Sequence, residues 1–148
     1  MNIERVIAGG VLLLLLWLPV PMGSDMGWSM GLYVTMVGGL VFLWGWQILS
    51  HGGVANRLLR KSAGAGLSLL IMVQGWVAIQ YFAGITENPG RTMEYLLLGL
   101  AHSGLFALII RFFDSKKRIN ALLGVVVVSG VIHAFYGAAM ALTPGDWL

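Results

Sequence analysis

The chain of 148 residues is 58% hydrophobic and only 10% charged, with a mean hydropathy of +0.85. A soluble domain carries about 25% charged residues, so a water-facing globular domain is excluded, and the absence of cysteine excludes disulfide frameworks and thiolate metal sites. The net charge of +3 comes from bases in short segments between apolar runs, a pattern that sets membrane topology and carries no nucleic-acid motif.

The first apolar run covers residues 3–20 and is broken by Pro19 and Pro21. Arg5 ahead of a leucine-rich stretch is signal-peptide-like, but no small-x-small cleavage pattern follows near Gly23, so the run reads as a retained helix. Residues 19–27 read as a turn-rich loop. The second run, 28–49, is long enough to cross about 30 Å of hydrocarbon. Trp28 stands at one end of it and Trp44 and Trp46 at the other, as interfacial anchors do. Residues 50–62 hold His51, Arg57, Arg60 and Lys61 beside Leu58 and Leu59, the pattern of a short helix lying on the membrane surface. The third run, 63–83, ends in Tyr81 and Phe82, and a polar loop over 84–92 carries Glu87, Pro89 and Arg91. The fourth run is 93–113, the basic loop is 114–118, the fifth run is 119–142, and a polar tail closes the chain.

This predicts an all-α integral membrane protein, a single transmembrane domain over 1–148 built as a five-helix bundle. Of the nine bases, Arg91 alone falls on one side; the other eight fall on the opposite side of the alternating spans. Positive loops stay inside, so the N-terminus is expected in the cytoplasm and the C-terminus in the periplasm.

Lipid tails are as apolar as leucine, so close backbone contact and polar pairs must hold such helices together. The 21 glycines suit this. Gly99 with Ser103 on the fourth helix, and Gly130 with Ala134 and Gly137 with Ala141 on the fifth, are spaced as small-residue packing faces. Gln74 and Gln80, six apart on the third helix, are expected to hydrogen-bond between helices, and Ser103 and Ser129 are further polar groups within spans.

Three residues are candidate binding groups. His102 and His133 each lie nine residues from the outer end of a predicted helix, about 14 Å. Two histidines at matched depth suit haem or metal ligation or proton relay. The alternative is two neutral imidazoles hydrogen-bonded inside the bundle, and a metal would want a third ligand that no Asp, Glu or Cys at that depth supplies. Arg91, the lone outer base, suits a lipid phosphate or pyrophosphate; the alternative is an ion pair with Glu94, three residues on. The sequence contains no P-loop, no nucleophile elbow and no paired carboxylates within a span, so residue patterns establish no catalytic group.

The Pro19-Val-Pro-Met-Gly-Ser24 turn after a leucine-rich helix resembles the first external turn of the O-antigen ligase and polymerase family. The basic Phe113-Asp-Ser-Lys-Lys-Arg118 cluster, leading into a helix with Gly130-Val-Ile-His-Ala-Phe-Tyr-Gly137, is similar to a family pattern of the form G-x-x-Q-A-x-Y-G, with His133 standing where glutamine is usual. The resemblance covers essentially the whole chain through the order and spacing of these motifs. It implies a GT-C-like inner-membrane protein acting on undecaprenyl-pyrophosphate-linked glycans in polysaccharide and lipopolysaccharide biosynthesis. Family members have roughly a dozen spans with their catalytic groups in the later ones. The resemblance therefore implies an N-terminal scaffold, with no catalytic residue carried over and no cofactor. Its partners would be membrane lipid, a lipid-linked oligosaccharide, and a C-terminal or partner membrane chain, and not nucleic acid. Two other readings stand beside it: a small membrane protein binding haem through both histidines, and a structural subunit of a membrane complex.

Overall fold

The computed structural model describes residues 3–18, 27–51 and 61–142. Every regular element among them is an α-helix: α1 (Ile3–Trp17), α2 (Gly27–His51), α3 (Lys61–Phe82), α4 (Pro89–Phe112) and α5 (Lys116–Leu142). Helices α2 to α5 are each long and apolar enough to cross a membrane. The chain is an all-helical, multi-pass membrane protein. Of the predicted 3–20, residues 19 and 20 lie outside the described residues. The 15 residues of α1 rise about 22 Å and reach from Glu4, beside Arg111 near the end of α4, to Trp17, beside Trp28 at the start of α2. The turn-rich loop before α2, most of the surface segment 50–62, and the tail 143–148 lie outside the described residues.

Local chemistry explains where the helices begin and end. Helix α3 closes on Gly84, whose φ of +68° needs no Cβ. There the Gly84 N–H donates to the Tyr81 carbonyl (3.3 Å) and the Ile85 N–H to the Gln80 carbonyl (3.1 Å), the two bonds of a Schellman stop. Helix α4 starts four residues before the apolar run that announces it. Asn88 holds an extended conformation, its side-chain oxygen accepts the Arg91 N–H at 3.1 Å, and Pro89 occupies the first turn. The cap satisfies an otherwise orphaned donor, and proline's missing N–H costs nothing at that position. Ser115 plays the same part for α5 by accepting the Arg118 N–H at 3.3 Å, so α5 begins at Lys116 rather than at residue 119.

Helices α1, α2 and α4 pack on one another; α3 lies against α4, and α5 against α1. Ile7, Val11 and Leu14 recur at helical spacing on α1 and are fully buried against Tyr33 and Val37 of α2 and Leu105, Leu108 and Phe112 of α4. Glycine permits the close approach of α2 and α4: a Cβ on Gly104 would stand 3.1 Å from the Val41 Cγ2 and 3.3 Å from the Val37 Cγ1. Between α3 and α4, the Gln74 amide lies directly on Gly99, and the Gln74 Oε1 is buried without a partner among the described residues. Ser103 is buried and donates to the Gly99 carbonyl of its own helix at 2.8 Å.

The expected small-residue face of α5 is not used in this way. Gly130 and Gly137 have open space where a Cβ would point. A polar bond fastens α5 instead: the buried Ser129 hydroxyl donates to the Leu15 carbonyl of α1 at 3.0 Å. Large side chains such as Phe42, Leu69, Met72, Val127 and Phe135 are exposed, as lipid-facing surface requires. At one end of the bundle Glu4 of α1 meets Arg111 of α4 at 3.8 Å. At the other, Trp17 and Trp28 pack edge to face with ring centroids 6.3 Å apart.

Candidate functional site: a cleft between α2 and α4

A cleft of about 740 Å³ opens between the first turns of α2 and α4. Helix α2 contributes Gly27, Met30, Gly31, Val34 and Thr35, the i, i+3, i+4, i+7, i+8 spacing of one helical face. Two of these are glycines, and the Thr35 hydroxyl turns back to the Gly31 carbonyl at 2.8 Å, so this wall is smooth and mostly apolar. Helix α4 supplies the charge and the aromatic edge, with Arg91, Glu94 and Tyr95 above Leu97 and Leu98. The Asn88–Pro89 cap places Arg91 and Glu94 on the first turns of a regular helix rather than in a loop.

The expected Arg91–Glu94 ion pair is not formed. The ion pairs among the described residues join Glu4 to Arg111 and Asp114 to Arg118. Arg91 and Glu94 are both exposed, and a solvated pair gains less than about 1 kcal/mol before the cost of ordering two long side chains. The guanidinium and the carboxylate therefore both reach the cleft unpaired.

His102 lies below the cleft. Its ring stands 5.2 Å from that of Tyr33, tilted by 51°, and its Nδ1 bonds the Leu98 carbonyl at 2.8 Å. A carbonyl only accepts, so Nδ1 carries a proton and donates in this bond. Tyr33 is 2% exposed, and its hydroxyl has no hydrogen-bond partner among the described residues.

The early start of α4 puts His102 about 20 Å along its helix from Pro89, where the sequence pattern placed it about 14 Å from the helix end. His133 keeps its nine-residue spacing from Leu142, about 14 Å, and is exposed on α5. That helix packs against α1, while His102 leans on Tyr33 of α2. No group of three His, Asp or Glu residues able to hold a metal occurs among the described residues.

Of the three residues singled out by sequence, Arg91 lines the cleft, His102 lies beneath it, and His133 is exposed on α5. Sequence reasoning missed Tyr33 and the free carboxylate of Glu94. Tyr33 carries a weak signal, a phenol in the middle of an apolar span, where its hydroxyl needs a partner. No protein-family model, curated protein or solved structure matches this chain.

Proposed function

We propose that this chain is the N-terminal membrane scaffold of an O-antigen ligase- or polymerase-like protein, GT-C-like in architecture and acting on undecaprenyl-pyrophosphate-linked glycans. In this reading it sits in the bacterial inner membrane with its N-terminus in the cytoplasm and Arg91 on the periplasmic side. The observation that carries the reading is the unpaired Arg91 at the mouth of an apolar-floored cleft. A guanidinium binds phosphate oxygens through two parallel charge-assisted bonds, and a polyprenyl chain would run along Met30, Val34, Leu97 and Leu98. The basic residues of 113–118 at the opposite end support the orientation. The motifs at 113–118 and 130–137 support the family.

The test is binding of undecaprenyl pyrophosphate to the purified chain in nanodiscs. Arg91→Ala removes a charge-assisted contact of about 1.5–3 kcal/mol, which lowers affinity roughly 10- to 150-fold. Equal binding by the variant and the parent sinks the reading. A periplasm-specific reporter placed in the loop 84–88 should be active; a reporter active only in the cytoplasm refutes the orientation. Glycan transfer by these 148 residues alone refutes the scaffold role.

A further inference from the structure

We infer that the α2–α4 cleft is built for a head bearing both signs of charge, a phosphate on Arg91 and a primary ammonium on Glu94, and that its resident ligand is a phosphatidylethanolamine-type phospholipid. This rests on the reading of the cleft as a lipid-head site and goes beyond it in naming a second recognition group.

The argument begins with the unmade ion pair. Arg91 and Glu94 line the same cleft, and neither is neutralised by a described residue. Residues three apart on a helix have Cβ atoms about 5–6 Å apart, so both residues stand on the same face of α4. A head with only negative charge, a pyrophosphate included, engages the guanidinium and leaves the carboxylate without a partner. A head that carries its own cation next to its phosphate satisfies both. Between the two common zwitterionic heads, the primary ammonium offers three N–H donors to a carboxylate, while a quaternary ammonium offers none.

The level of the site agrees with its chemistry. Trp28 is 61% and Tyr95 63% exposed beside the cleft, and amphipathic rings mark the depth of lipid headgroups. Below them the walls become apolar at Met30, Val34 and Leu98, where acyl chains would lie. One ligand thus spans the charged mouth and the apolar floor.

The full chain is reconstituted in nanodiscs holding equal amounts of phosphatidylethanolamine, phosphatidylcholine and phosphatidylglycerol, and the lipid retained on the protein is read by native mass spectrometry. Phosphatidylethanolamine should be retained roughly tenfold over each of the others, the effect of about one charge-assisted hydrogen bond. Glu94→Gln should erase that preference, and Arg91→Gln should lower retention of all three lipids, with helical content by circular dichroism unchanged in both variants. The sign of the Glu94 effect is decisive, because neutralising this carboxylate strengthens binding of a purely anionic head and weakens binding of a zwitterionic one. Equal or greater retention of phosphatidylglycerol, or undiminished phosphatidylethanolamine in Glu94→Gln, overturns the inference. Undecaprenyl pyrophosphate is titrated in parallel. Arg91-dependent binding of that probe without an ethanolamine preference removes this inference alone. An ethanolamine preference without pyrophosphate binding upholds it and removes only the O-antigen reading.

Discussion

Gly104→Leu tests whether α2 and α4 are held apart by one missing side chain. A Cβ there meets the Val41 Cγ2 at 3.1 Å and the Val37 Cγ1 at 3.3 Å, and a leucine places three further carbons into the same space. Overpacking a close helix contact costs about 1–3 kcal/mol. The matched control is Gly130→Leu, where nothing lies within 4 Å of the new Cβ and the added chain extends into lipid. Replacing glycine by leucine raises helix propensity by somewhat under about 1 kcal/mol at either site, so this contribution cancels in the comparison. Reversible unfolding in mixed micelles is the assay. Tryptophan fluorescence is a suitable readout because the Trp44 ring lies 6.4 Å from that of Phe112 at the α2–α4 contact. Gly104→Leu should be less stable than Gly130→Leu by about 1–3 kcal/mol. Equal stabilities would refute the idea that this glycine sets the separation of α2 and α4, and with it the idea that the floor of the cleft is fixed from below.

Two smaller predictions follow from single hydrogen bonds. Ser129→Ala removes the bond to the Leu15 carbonyl and should cost about 0.6 kcal/mol, with an upper limit near 1.7 kcal/mol; crosslinking between cysteines introduced on α1 and α5 should become slower, and unchanged crosslinking would mean that the bond does not fasten α5. Asn88→Ala deletes the cap of α4 and should cost about 1 kcal/mol. Hydrogen exchange at the Arg91 amide should quicken while exchange in the middle of α4 stays slow, and uniform protection along the helix would contradict the capping role.

Much of the architecture was readable from the spacing of apolar runs, because a lipid solvent demands long uninterrupted hydrophobic helices. The errors lie where hydropathy is not the controlling force. Helix α4 starts at Pro89 because Asn88 caps it, and a cap is a hydrogen-bonding device in a polar segment that a hydropathy profile does not register. The number of glycines correctly signalled close packing, but spacing along one helix does not tell which face meets a neighbour. Gly104, absent from the expected small-residue pairs, contacts valines more than sixty positions earlier, while Gly130 and Gly137, which match the motif, face open space.

The candidate site divides along the same line. Arg91 stood out because it is the lone base on its side of the spans, a global pattern that any one-dimensional reading can detect. Three-residue spacing on a helix also permits an ion pair with its neighbour Glu94. Permission is not stabilisation, and for two exposed chains the gain is below the cost of ordering them. Matched spacing puts two histidines at one depth, but distance from a helix end fixes height only, and azimuth comes from packing. The ring of His102 lies against Tyr33 of α2, while His133 is exposed on α5. A one-dimensional pattern can therefore locate charge relative to the membrane, while the partner each charge meets is decided by which helices touch. That is why the cleft between α2 and α4, made from residues some sixty positions apart, emerges only from the fold.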